Sequence, residues 1–344
     1  PYHLSFGLEM GDQNDKRRRF DNLEGTKGDK TFDQLEQFQN IGAFIQQEWI
    51  INKSFRTTFG IRSDINKLKA TDRYLNDGDG TGKQTLNNIN PLIGFVYSIR
   101  KNINLYGNYS THFETPTLNE LSNNPDPSSS GGFNPGLNPQ YAKNVELGLK
   151  GFFNENLFIE MAAFKIDALD EIIPFELPDL PGRTFYRNAG TSFRKGFEFG
   201  LNSRLSKGLQ MSMAYTYSNF SYGAYQTKSG VFDGNSLPAI PKMLLYGELS
   251  YFHISGIYSM IQVQYTGDVY ADDANTVKEN AYQLMHMRFG YKKYYSNLMI
   301  EPFIGLNNLL NTSYNSNIRM NAWGGRYFEP GSEFNIYGGV SIRF

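Results

Sequence analysis

"LQMSMAYTYSN" occupies residues 209–219, and apolar and polar side chains alternate along it. Successive side chains of a β-strand point to opposite faces, so this stretch is predicted to be a strand with one apolar and one polar face. The same alternation recurs in "FRTTFGIRSDI" (55–65) and "IYSMIQVQYTG" (257–267). In these strands the polar face carries Arg, Asp or Gln in mid-strand, where a water-soluble β-sandwich would have to bury them unpaired at high cost.

This criterion predicts about fourteen strands. They lie at residues 2–10, 37–50, 54–68, 86–99, 102–113, 139–152, 156–176, 183–204, 209–221, 240–253, 256–270, 279–292, 297–310 and 332–343. Turns of a few residues alternate with long polar segments, which include 11–36, 69–85, 114–138, 222–239 and 311–331. Short turns on one side and long loops on the other are typical of a transmembrane antiparallel β-barrel. A soluble solenoid or propeller gives no reason for this alternation.

Composition supports the barrel and excludes several other classes. The 344 residues carry a net charge of −1, which does not indicate a nucleic-acid partner. The sequence has no cysteine, so disulfides and thiolate metal sites are excluded. No apolar run approaches the ~18–20 residues of a transmembrane helix. Aromatic residues make up 15% of the chain, as interfacial girdles of a barrel would require.

Five short motifs, taken in order, resemble the barrel of TonB-dependent outer-membrane receptors. They are "LYGNYSTHFETPTLNEL" (105–121), "LNPQYAKNVELGLKG" (137–151), "YRNAGTSFRKGFEFGL" (186–201), "GLNNLLNTSY" (305–314) and the last strand, "EFNIYGGVSIRF" (333–344). Gln140 departs from the glutamate frequent in the family, at the start of a strand. Each motif alone has low specificity, but their order spans nearly the whole chain.

The resemblance implies an all-β protein with a 22-stranded barrel and an N-terminal plug domain. Residues 1–344 are therefore expected to be the C-terminal portion of such a barrel, without the plug and the first strands. The C-terminal Phe344, with Ile342 and Val340 before it, resembles the signal that the barrel-assembly machinery of Gram-negative bacteria recognises. This places the chain's end in the periplasm and the long loops outside the cell.

The family further implies an outer-membrane transporter that imports a scarce nutrient, and a ferric siderophore is the cargo we expect. Its partners would be the TonB complex, reached through the missing N-terminal part, the lipid bilayer with lipopolysaccharide, and a small metal chelate. A glycan or vitamin importer is the alternative within the family. A passive channel, built as a complete fourteen-stranded barrel, is the alternative from another class.

The sequence contains no catalytic constellation, so the protein is predicted not to be an enzyme, and no cofactor or protein-bound metal is expected. The four histidines fall on separate predicted strands, and "MHM" (285–287) sends its methionines and its histidine to opposite faces. "NDGDGTG" (76–82) lacks the full spacing of a calcium loop and is predicted to be an ordinary turn.

Candidate ligand contacts are the aromatic and cationic residues near the outer ends of strands, because arginine pairs with anions and flat rings pack against planar ligands. These candidates are Tyr186, Arg187, Trp323, Arg326 and Tyr327. "KRRR" (16–19) forms a basic cluster in the first long loop, and is interpreted as a solvated loop in preference to a site for an anionic ligand or lipopolysaccharide phosphates.

Overall fold

The computed structural model describes residues 1–125, 133–134, 136–227 and 230–344, and almost all of them belong to strands or the loops that join strands. The first nine strands are long and follow the chain. They are β1 (Tyr2–Leu23), β2 (Thr26–Ile50), β3 (Phe55–Asp72), β4 (Gly82–Arg100), β5 (Ile103–Glu114), β6 (Gln140–Asn154), β7 (Leu157–Leu177), β8 (Leu180–Ser206) and β9 (Leu209–Tyr222).

Later strands alternate between wall strands and short loop strands. They are β10 (Gln226–Thr227), β11 (Gly230–Val231), β12 (Met243–Phe252), β13 (Ile257–Thr266), β14 (Val269–Tyr270), β15 (Lys278–Glu279), β16 (Tyr282–Tyr291), β17 (Lys293–Tyr295), β18 (Leu298–Asn307), β19 (Asn315–Ile318), β20 (Phe328–Pro330) and β21 (Asn335–Arg343). Helix is limited to α1 (Leu118–Leu121) and two 3₁₀ turns, Leu75–Asp77 and Trp323–Gly325. None of the described helices is long and apolar enough to cross a membrane.

Fourteen long strands, with the short β17 added, form one antiparallel sheet in the order β1 to β9, β12, β13, β16, β18 and β21. This confirms the all-β architecture and the number of wall strands. In the described residues β1 pairs with β2 and β21 pairs with β18, and the two end strands do not pair with each other. The closed fourteen-stranded barrel of the passive-channel alternative is therefore not the arrangement observed.

The outer ends of several strands extend further than the alternation predicts. Residues 11–36, expected to be a long loop, continue β1 and β2 as a hairpin closed by Glu24 and Gly25, whose φ angles are 52° and 89°. The loop expected at 69–85 shrinks to 73–81, and β7 meets β8 through a tight turn. The long loops predicted at 11–36 and 69–85 were wrong because a hydrogen-bonded ladder above the lipid needs no apolar face. The loop predicted at 114–138 lies partly outside the described residues.

Two neighbouring rows of the sheet define its faces. Five polar residues lie opposite one another across five strands: Asn202, Ser212, Glu248, Gln262 and His286. The adjacent row is Leu201, Met213, Gly247, Val263 and Met285. Side-chain hydrogen bonds follow the first row, as in Ser212 Oγ to Asn202 Oδ1 at 2.8 Å. The polar row is the lumenal face and the apolar row faces lipid.

We expect an arginine in place of Met213 to cost about 2–4 kcal/mol, because it would enter the hydrocarbon near the bilayer midplane. An arginine at Ser212, one residue away on the lumenal face, should cost little. Urea titration of the full-length protein in lipid vesicles measures both. Equal losses of folding free energy for the two variants would contradict the assignment of the faces.

The last strand carries the residues predicted to signal barrel assembly. Val340 lies opposite Pro302, and Ile342 lies opposite Ile300, on the lipid-facing side of the sheet. Both side chains are exposed, and Phe344 follows the strand fully exposed. Their recognition by the assembly machinery stays a prediction.

Two clusters of buried apolar residues lie at the loop-bearing end. The first, here called the helix cluster, is Leu68, Ala70, Leu118, Leu121, Phe133 and Leu137. The second, the tyrosine cluster, is Ile173, Ala189, Tyr222, Tyr225, Phe232 and Leu237. The outer half of the β7–β8 hairpin lies between the two clusters. We call this loop-bearing end of the sheet the mouth, and the hairpin sets its geometry.

Candidate functional site

The β7–β8 hairpin changes its pleat at Asp170, whose φ of 57° is left-handed. Before this residue, Ile166 and Ala168 lie opposite Arg194 and Ser192 and share a face with them. After it, the odd-numbered Glu171 accepts hydrogen bonds from the side chains of Ser192 and Arg194. One left-handed residue therefore exchanges the two faces of the strand, and it decides which side chains of β8 enter each cluster.

The side chain of Arg187 lies on the tyrosine-cluster side. Its Nη2 donates to Asp273 Oδ2 at 3.2 Å, and the Asp273 side chain is only 4% exposed. The same carboxylate accepts from Tyr222 OH at 2.7 Å, Tyr225 OH at 3.1 Å and Asn321 Nδ2 at 3.1 Å. Asp273 thus joins β8, the end of β9 and two later loops.

Burial, together with the facing Asp273 carboxylate, raises the pKa of Tyr222 and of Tyr225. Both hydroxyls therefore stay protonated at neutral pH and remain donors to Asp273. A buried carboxylate with this many donors is stable only while they are all present. The Asp273 contacts consequently hold several loops in one arrangement.

A second buried carboxylate fixes Arg326. Glu176, near the tip of the hairpin, has a side chain that is 5% exposed and accepts from Arg319 Nη2 and from Arg326 Nη2, each at 3.1 Å. Arg326 Nε also donates to the carbonyl oxygen of Trp323 at 3.1 Å. Of the predicted ligand residues, Arg187 and Arg326 are therefore both engaged with carboxylates of the protein.

The aromatic candidates fall in three environments. Tyr186 packs against the helix cluster, on the side opposite Arg187. Trp323 is 48% exposed at the mouth, and the ring of the partly buried Tyr327 lies beside Phe328 with centroids 6.1 Å apart. Burial raises the pKa of Tyr327. The structure thus brings Arg187, Trp323 and Arg326 to one side of the mouth and separates Tyr186 from them.

The motif "ETPTLNEL" (114–121) builds the helix cluster. Thr117 caps α1: its hydroxyl accepts from the Glu120 N–H at 3.2 Å, and the Glu120 carboxylate accepts from the Thr117 N–H at 2.7 Å. This capping box satisfies N–H groups that a helix start leaves free. Leu118 and Leu121 are then buried against β2, β3 and β8. The long loop after β5 is therefore anchored inside the mouth.

Three arginines converge beside α1, and we call Arg17, Arg19 and Arg183 the arginine cluster. Arg17 Nη1 donates to Glu36 Oε1 at 2.9 Å and to Ser122 Oγ at 2.8 Å. Arg19 lies on β1 and Arg183 lies on β8. Their Nη2 atoms both donate to Asn123 Oδ1, at 3.4 and 3.5 Å.

The electrostatics of the arginine cluster are unbalanced. Burial and the neighbouring Arg17 and Arg183 lower the pKa of Arg19, and burial and Arg17 lower the pKa of Arg183. Among the described residues Glu36 is the carboxylate bound to the cluster, against three guanidinium groups. Arg17 Nη2 is buried without a hydrogen-bond partner in that part of the chain. The cluster is therefore suited to receive an anion.

Aromatic rings flank these cations. Arg17 and Arg19 each lie over Phe32, 5.0 Å from its centroid, and Arg183 lies at the same distance from Phe185. Arg187 lies over Phe175 at 4.7 Å. Because Arg183, Phe185 and Arg187 alternate along β8, one face of the hairpin carries cation and ring in turn. Guanidinium groups stacked on rings in this way can pair with planar anionic groups.

Sequence reasoning missed the arginine cluster because it interpreted "KRRR" (16–19) as a solvated loop. The available signal was spacing: Arg17 and Arg19, two residues apart, share a face once the segment is a strand. Arg18 points the other way and pairs with Asp33 at 3.4 Å. Nothing in the sequence indicates that Arg183 joins them.

Metal-type motifs have ordinary structural contacts. The described residues contain no group of three or more His, Cys, Asp or Glu side chains placed to hold a metal ion. In the 72–82 turn, the Asp72 carboxylate accepts from the N–H groups of Tyr74 and Gly80, at 2.8 and 2.9 Å. His286 lies beside Asn307 on the lumenal wall.

The fold and this mouth define an outer-membrane β-barrel receptor. The chain belongs to the TonB-dependent receptor family, since the family model described as "TonB dependent receptor-like, beta-barrel" matches residues 1–309. Members of this family lie in the outer membrane of Gram-negative bacteria, and so does this protein.

Curated relatives and solved structures agree with this assignment. An iron-regulated outer membrane virulence protein of Vibrio cholerae is 27% identical over 282 residues, covering 77% of this chain and 38% of that protein. The siderophore receptor PiuA of Acinetobacter baumannii superposes with a TM-score of 0.77 at 18% identity, over 99% of this chain and 53% of PiuA. The ferric citrate transporter FecA superposes with a TM-score of 0.80 at 15% identity, over 99% of this chain and 51% of FecA. The chain therefore spans only part of the length of these proteins.

Proposed function

We propose that this chain is the C-terminal part of the barrel of a TonB-dependent transporter that imports an anionic ferric siderophore across the outer membrane. The observation that carries the proposal is the arginine cluster, where three guanidinium groups at the mouth are paired with only one carboxylate among the described residues, Glu36, and keep a net positive charge. The similarity to an iron-regulated outer membrane protein and to siderophore receptors supports iron as the cargo.

The residues of the mouth suggest how a chelate is held. Guanidinium groups of Arg19 and Arg183 can each donate two parallel hydrogen bonds to a carboxylate or a similar planar oxygen pair. Phe32 and Phe185 lie against these planar guanidinium groups and partly shield them from water, which strengthens their interaction with an anion. Binding at the mouth is the step that this part of the protein performs.

Energy for import would come from the TonB complex acting on a plug domain, which the resemblance places outside this chain. No catalytic step is involved: the ferric chelate is cargo and leaves unchanged. The barrel wall provides the lumen, whose polar rows allow a hydrated path once the plug moves.

The function is tested by deleting the complete gene in its host and growing the strain under iron limitation with single ferric siderophores. We expect growth to fail with one anionic siderophore, to return with the full-length gene, and to require an intact TonB. Uptake that continues without TonB would support the passive channel. A growth defect confined to a glycan or vitamin would support the other importers.

A further inference from the structure

Gln34 lies on β2 beside the arginine cluster, directly opposite Arg17 on β1. Directly opposed residues of an antiparallel pair share a face, so both side chains lie on the inward face of the mouth. Gln34 is only 1% exposed, and among the described residues neither its Oε1 nor its Nε2 has a hydrogen-bond partner. A buried amide without partners has lost its hydrogen bonds to water and destabilises the fold.

Arg17 carries a third unused atom. Its Nη1 donates to Glu36 and Ser122, but its buried Nη2 donates to no acceptor in the described part of the chain. The two facing side chains thus present two free donors, Gln34 Nε2 and Arg17 Nη2, and one free acceptor, Gln34 Oε1. Because folded proteins pair nearly all of their buried polar atoms, these three atoms indicate a site for a polar guest.

We propose that Gln34 determines the specificity of the mouth by selecting a chelate that carries an α-hydroxycarboxylate group. This inference rests on the proposed function and names its substrate class. The arginine cluster supplies the attraction for an anion of any shape. Gln34 recognises the hydroxyl group that lies beside the carboxylate.

An α-hydroxycarboxylate matches the three unused atoms. Its hydroxyl donates to Gln34 Oε1, while one carboxylate oxygen accepts from Gln34 Nε2 and the other accepts from Arg17 Nη2. The hydroxyl and the nearer carboxylate oxygen are neighbours in such a group, as the oxygen and nitrogen of the amide are, so the two bonds to Gln34 form side by side. A plain carboxylate only accepts, and it leaves Gln34 Oε1 without a donor.

The segment Ser122–Asn123, which follows α1, covers this site. The two residues are 1% and 6% exposed, and Ser122 Oγ donates to Glu36 Oε1 at 3.3 Å, on the same face of β2 as Gln34. Asn123 Oδ1 accepts from two guanidinium groups of the arginine cluster at 3.4 and 3.5 Å, which is long for charge-assisted hydrogen bonds. An anion that binds these groups takes the place of Asn123 and brings its hydroxyl to Gln34.

The test uses two metal-free anions, citrate and tricarballylate, which differ only in the hydroxyl group of citrate. Isothermal titration calorimetry measures their affinities for the full-length protein in detergent, for Gln34→Leu and for the matched control Gln39→Leu. Gln39 is on the same strand but exposed on the opposite face, where it donates to Asp12. Heat-dependent gel mobility verifies that each variant folds, as expected for Gln34→Leu because it removes only unpaired polar atoms.

Citrate should bind the unmodified protein at least about tenfold more tightly than tricarballylate, since a site that pairs with a hydroxyl rejects the analogue without it. Gln34→Leu should bind both anions alike, and Gln39→Leu should keep the preference. An equal affinity of the unmodified protein for the two anions would overturn the role of Gln34 and leave the anion site of the proposed function standing. A preference that survives in Gln34→Leu would also overturn it, because water alone would then satisfy the amide. Binding of neither anion would overturn this inference together with the proposed anion site.

Discussion

Replacement of Asp273 by alanine should release the loops of the mouth while leaving the barrel wall intact. The change removes the acceptor of Arg187, Tyr222 and Tyr225 at once, inside a site where the carboxylate is 4% exposed. Breaking a buried ion pair costs up to about 3–5 kcal/mol, and the loss here should be smaller because the Arg187 side chain is 28% exposed. Hydrogen–deuterium exchange should rise strongly in peptides around 220–225 and 270–277, and remain unchanged in the lower half of β9.

The matched control is Asp268→Ala. Asp268 binds Lys278, but its side chain is 45% exposed, and such surface pairs contribute about 0–1 kcal/mol. An Asp273→Asn variant should give an intermediate result, because it keeps the shape and loses the charge. If the Asp273→Ala and Asp268→Ala variants showed the same hydrogen–deuterium exchange in these peptides, Asp273 would not be the residue that holds the loops together.

The second large effect is expected from the arginine cluster. Replacing Arg19 and Arg183 together by alanine should lower the affinity for an anionic ferric tricarboxylate chelate about 100-fold, since each charge-assisted hydrogen bond contributes about 1.5–3 kcal/mol. Binding of a neutral ferric hydroxamate chelate should change little. Tryptophan fluorescence titration of the full-length protein measures both affinities, and the salt dependence for the anionic chelate should become weaker.

Arg18→Ala is the control for this experiment, because Arg18 lies between Arg17 and Arg19 in the sequence but points to the opposite face and pairs with Asp33. It should bind the anionic chelate as the unmodified protein does. An equal loss in Arg18→Ala and in the double variant would mean that general surface charge, and not the cluster, attracts the chelate. Arg187→Ala should resemble Asp273→Ala in hydrogen exchange, since the two side chains form one contact.

The wall could be predicted from the sequence because its physical cause is local. Period-two alternation depends only on neighbouring residues, so the strand through Met213 and the row it shares with Val263 follow from reading along the chain. The hairpin at 11–36 could not be predicted in the same way. Above the membrane both faces of a strand meet water, and the apolar signal that marks a strand disappears.

The mouth was predicted less well because its contacts join distant parts of the chain. Arg187 and Arg326 were identified as important cations, but their partners Asp273 and Glu176 lie 86 and 150 residues away. Asp170, in a left-handed conformation, reverses the pleat of β7. Nothing in the sequence around this aspartate requires that conformation. Alternation alone places Tyr186 and Arg187 on opposite faces, but which face enters which cluster could not be foreseen. Whether these residues contact a ligand stays a prediction.

The reversed pleat at Asp170 affects which residues of the mouth can be substituted during evolution. Alternate residues of β8 belong to separate compartments: Tyr186 supports the anchored helix, while Arg183 and Arg187 belong to the charged side. Selection for a different chelate can therefore act on Arg183, while change at Tyr186 is limited by packing against the helix cluster. One strand inherits two independent sets of constraints, so a lineage can change its cargo without rebuilding the support beneath it.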